Sequence, residues 1–116
     1  MVKEKLLYVL ESFGVPVYLQ GTLAEDKPYP DEFITFFTLY ADDGAHYDDE
    51  TTSYVWRFSV MYYANDAEKV NTKPDEIRAA LKAAGFIPQG KAHDILSDEP
   101  THTGAAMEFL IVETEQ

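Results

Sequence analysis

Five carboxylates crowd one short stretch, Asp42, Asp43, Asp48, Asp49 and Glu50. Hard cations such as calcium and magnesium take oxygen ligands, so a cation site is one reading of this stretch. The spacing does not follow the twelve-residue calcium-loop pattern, and a solvated acidic hairpin tip is the simpler reading. Three histidines, His46, His93 and His102, fall in separate loop regions. None stands at the spacing that holds zinc on one helix, although a fold could bring His93 and His102 together with Asp94 or Asp98. Ser97, Asp98 and His102 supply the residue types of a hydrolytic triad, yet no nucleophile-elbow glycines surround the serine. Gly85 and Gly90 stand apart, so no glycine-rich phosphate loop is present. These observations predict a non-enzymatic protein with no cofactor and no metal.

A second cluster is aromatic. Tyr54, Trp56 and Phe58 alternate with Val55 and Arg57. Stacking platforms for single-stranded nucleic acid have this look, but they come with a basic groove. The chain carries 21 acidic against 9 basic residues, a formal charge of −12. Stable binding to phosphate backbones or anionic membranes is therefore not expected. Core packing or a subunit contact accounts better for the strand, since Trp, Tyr and Arg are enriched at interfaces. Tyr29, Trp56 and Arg57 are the candidate interface residues.

The remaining composition bounds the class. A chain of 116 residues with 46% hydrophobic and 14% aromatic content suits one folded domain, expected to span residues 1–116. With no cysteine, disulfide scaffolds and thiol chemistry are excluded. No signal-peptide core and no run of about 18 apolar residues is present, which predicts a soluble protein.

Periodicity supplies the elements. Leu6, Leu7, Leu10 and Phe13 recur at helical spacing over about residues 3–13, and Gly14 and Pro16 stop the helix. Val15 to Gln20 reads as a strand, 22–32 as a polar loop, and Phe33 to Tyr40 as a strand with two apolar faces. Phe33, Thr35, Phe37 and Leu39 share one face; Ile34, Phe36, Thr38 and Tyr40 share the other. After the acidic turn, Ser53 to Tyr63 completes an antiparallel hairpin. Asn65-Asp66 is a natural helix cap. Ala67 to Ala84 then looks helical with Val70, Ile77 and Leu81 inward, but Pro74 interrupts it. An interior proline costs about 3 kcal/mol, so a break is expected, with Thr72 and Asp75 capping a new start. Gly85 ends the helix, a short strand is expected near Lys91 to Leu96, and Ala105 to Glu113 is the last strand. The result is an α+β domain with a mainly antiparallel sheet, a long hairpin and two principal helices on one face.

Several stretches resemble a family of small tail proteins from phages and prophages of Gram-positive bacteria. They are Phe13-Gly14-Val15-Pro16-Val17-Tyr18-Leu19-Gln20-Gly21, Tyr29-Pro30-Asp31, Asp43-Gly44-Ala45-His46-Tyr47-Asp48, Val55-Trp56, Tyr63-Ala64-Asn65-Asp66, Ala84-Gly85-Phe86, Gly90-Lys91 and Ser97-Asp98-Glu99-Pro100-Thr101-His102-Thr103-Gly104. In size and architecture the family is similar to tail terminators, the head–tail joining proteins. The resemblance implies a six-subunit ring that ends tube growth, with the tail tube protein and the head connector protein as partners. It implies a place in the virion, after synthesis in the bacterial cytoplasm. The acidic turn Asp42, Asp43, Asp48, Asp49 and Glu50 would then face the lumen, where DNA passes without stable binding. The alternative is an acidic interaction protein or DNA mimic that binds a basic partner. A small enzyme or ligand-binding domain is a third class, and no motif requires it.

Overall fold

The computed structural model describes residues 2–19, 30–47, 50–95 and 101–114, and describes side chains within these except at 42–47, 50–52 and 114. The elements run α1 (Val2–Glu11), β1 (Val17–Leu19), β2 (Glu32–Tyr47), β3 (Glu50–Ala64), α2 (Ala67–Ala83), β4 (Ile87–Pro88), β5 (His93–Ile95) and β6 (Thr103–Thr114). The fold is α+β, with one sheet ordered β1-β2-β3-β6-β4 and β5 also on β6. All pairings are antiparallel except β1 with β2.

Strand alternation sorts the sheet into two faces. On one, cross-strand rows Ile34–Tyr62–Ala105, Phe36–Val60–Met107 and Thr38–Phe58–Phe109 form a floor of mostly buried apolar side chains. Leu6 and Leu10 of α1 and Ile77 and Leu81 of α2 pack into the same core. The helix spacing read from the sequence thus delivers both helices to this face. Gly14 and Gly85 take the left-handed conformation at the helix stops, with φ of 73° and 102°.

Neither described helix lies on the second face, yet its near half is buried. Phe33, Met61 and Ala106 are all largely hidden from solvent. Phe33 stacks on Tyr63 at 5.0 Å, meets Tyr18 edge-on at 6.2 Å and lies 6.0 Å from His102. Thr35 sits among this set with its hydroxyl buried and without a hydrogen-bond partner.

Three expectations are corrected. First, α2 is continuous from Ala67 to Ala83 with Pro74 inside it. Pro74 falls on the face of Val70, Ile77 and Leu81, all buried, and this burial offsets part of the cost of the lost hydrogen bond. Thr72 does not cap a new start; its hydroxyl donates back to the Glu68 carbonyl at 3.1 Å. Asp66 is the cap, accepting from the Glu68 N–H at 2.9 Å. Second, the hairpin strands continue through Tyr47 and resume at Glu50, so most of the acidic turn is strand. At about 3.3 Å per residue, the 16 residues of β2 match the molecule's 54 Å long axis. Third, the register shifts between Thr38 and Tyr40. Leu39 is the extra residue of a bulge, which moves Tyr40 onto the face of Phe37.

Candidate functional site

Trp56 and Arg57 are neighbours on β3 and therefore occupy opposite faces. Trp56 lies on the helix side and packs against the core. Its ring stacks on Phe58 at 5.9 Å, and its indole N–H donates to Glu113 Oε1 at 3.2 Å. Lys3 Nζ stands 5.9 Å from the ring centroid. Trp56 is therefore first a packing residue, and of the candidate pair only Arg57 lies on the face opposite the two described helices.

Around Arg57 the register assembles a row, Tyr40–Arg57–Leu110, extended by Ile87 of β4 opposite Leu110. Arg57 Nε donates to Glu108 Oε1 at 2.8 Å. Tyr40 and Glu108 beside the guanidinium hold it protonated even more firmly than usual. The pair is partly open, with side-chain exposures of 29% and 38%, so water screens it and its contribution to stability is small. Tyr40 is 40% exposed, Ile87 51% and Val112 51%. Apolar surface and one ion pair thus form an uncovered patch on the far half of the second face.

Sequence reasoning missed Tyr40, Glu108, Ile87 and Val112 here. A signal was present for Glu108. Arg57 is the sole charge between Ser53 and Ala64, and Glu108 the sole charge between Thr103 and Val112. Two lone opposite charges in adjacent apolar strands point to each other.

The acidic stretch is placed in part. The backbones of Asp42 and Asp43 pair with Val55 and Tyr54, and that of Glu50 pairs with Tyr47. Asp48, Asp49 and Tyr29 lie outside the described residues, as do Ser97 and Asp98. His93 is exposed on β5, whereas His102 is buried just before β6. His102 Nε2 donates to the Pro30 carbonyl at 2.7 Å, and its Nδ1 faces the Thr101 hydroxyl at 2.9 Å. His102 thus ties the entry of β6 to the entry of β2. Among the described residues, no three His, Asp or Glu side chains converge as metal ligands. No helix among them is long and apolar enough to cross a membrane.

A further polar cluster closes the near end of the hairpin. The Tyr62 hydroxyl donates to Glu32 Oε2, and Lys69 Nζ stands 3.8 Å from Glu32 Oε1. Burial and the Glu32 carboxylate push the Tyr62 phenol well above its usual pKa. Asn65 donates to Asp31 through its side chain at 3.1 Å and its backbone N–H at 2.9 Å. These contacts fix α2 against the start of β2; they arrange no reacting group.

The sequence matches no protein-family model and no curated protein.

Proposed function

We propose that this chain is a structural protein of a phage or prophage tail, acting as a tail terminator. Copies join in a ring at the head–tail junction, end tube growth and seat the head connector. The observation that carries the reading is the β2–β3 hairpin, whose strands run on to Tyr47 and from Glu50. It carries the backbones of Asp42, Asp43 and Glu50 towards one end of a long, narrow subunit. A ring of such ends would line a channel with charge of the same sign as DNA, so the genome slides without sticking. The formal charge of −12 and the stretches that resemble phage tail proteins support this reading.

The test is electron microscopy of particles from a prophage whose copy of this gene is deleted. Overlong tails and separate filled heads are expected. Normal joined virions would overturn the reading and bring forward an acidic decoy for a basic partner.

A further inference from the structure

We propose that the sheet face around Arg57, opposite the two described helices, docks a second copy of this chain, same face to same face. The inference does not rest on the tail role.

Three observations carry it. First, the patch is apolar and open: Tyr40, Leu110, Val112 and Ile87 share one sheet face, three of them 40% or more exposed. Contiguous exposed apolar surface of this kind marks contact sites. Second, charge selects the occupant. Two copies at −12 each repel, so they meet where local charge cancels. Arg57 and Glu108 cancel within this patch. Third, the pair is self-complementary. A two-fold contact places residue i on j and j on i, so Arg57 of each copy reaches Glu108 of the other. Arg57 offers five N–H donors, more than Glu108 of its own chain consumes. Two sheet faces pack about 10 Å apart, a distance that interdigitated Tyr, Leu and Arg side chains fill.

Sedimentation velocity of the full chain over a wide concentration range tests this. The wild type is expected to form dimers that tighten as salt rises, because salt screens the repulsion between acidic copies. R57E makes the patch wholly negative and E108R makes it wholly positive. Each alone is expected to weaken association about tenfold or more, a loss of about 1.4 kcal/mol. An equimolar mixture of the two should associate at least as tightly as the wild type. Circular dichroism melts check that both variants fold, as expected for a half-exposed pair. V112E, at an exposed position, is expected to abolish the dimer without unfolding the chain. A wild type that stays monomeric, a mixture no tighter than its components, or dimers indifferent to V112E would each overturn the proposal. A patch that serves a different protein gives the first of these results. A tail terminator ringed through other contacts would still pass the deletion test, so the two failures are distinguishable.

Discussion

The ring of Tyr63 fills the space in which a β-carbon of residue 104 would stand. A methyl group on Gly104 would lie 2.7 Å from Tyr63 Cδ1 and 3.0 Å from Ile95 Cγ1. The tyrosine cannot withdraw freely, because it stacks on the buried Phe33. Gly104 is thus set by close approach and not by a left-handed backbone. Gly104→Ala is expected to cost about 1–3 kcal/mol, read from the urea midpoint. Adding Tyr63→Leu should remove most of that cost; an unchanged penalty would mean the strain lies elsewhere.

Pro74 gives the opposite sign. Pro74→Ala restores an N–H to the helix interior, a gain of about 3 kcal/mol. It strips two buried methylenes, a loss of about 1.6 kcal/mol. Stability is therefore expected to rise by about 1 kcal/mol in equilibrium urea unfolding. A clear fall would show that the pyrrolidine ring packs better than its size implies.

Tyr62 makes stability depend on alkaline pH. Its phenol titrates above the ordinary value of 10.0 in the folded chain, through burial first and Glu32 second. A raised folded value favours the protonated form, so the contribution is complete below about pH 10 and fades as pH rises beyond it. Tyr62→Phe is expected to cost about 1–2 kcal/mol near neutrality. It should also flatten the loss of stability as pH rises above about 10. Parallel slopes for the two proteins would contradict the assignment.

The helices, their caps and the hairpin core were legible because each was written locally. Leu6 and Leu10 announce a helical face, Asp66 announces a start, and Gly14 and Gly85 announce stops. What was not legible depends on distant partners. Asp42, Asp43 and Gly44 read as a turn, but pairing with Tyr54 and Val55 extends the strand through them. Leu39 looks like one more alternating residue, and only the β3 register exposes it as a bulge. Pro74 looks like a break until the buried face of α2 is known. The parallel seat of β1 against Ile34 to Phe36 joins segments whose sequences say nothing of orientation. For the site, Arg57 was found by type, while Tyr40 was assigned to the wrong face by the same bulge.

The acidic end offers a functional prediction under the terminator reading. Asn at Asp42, Asp43, Asp48 and Asp49 together removes four negative charges and little volume. A channel lined by this end should then hold DNA back. Slower genome delivery and reduced plaque-forming titre are expected from particles of normal shape; an unchanged titre would place the acids outside the channel.

The last of the described strands, β6, is an inner strand of the sheet, flanked by β3 on one side and by β4 and β5 on the other. During synthesis, residues 2–95 emerge before the element that joins those flanks. A nascent chain therefore displays the apolar rows of β3 with one edge bare until residues 103–114 leave the ribosome. Such edges invite pairing with other chains. Translation speed through the codons between β3 and β6, and chaperones at the tunnel exit, should govern how much of this protein reaches its native sheet.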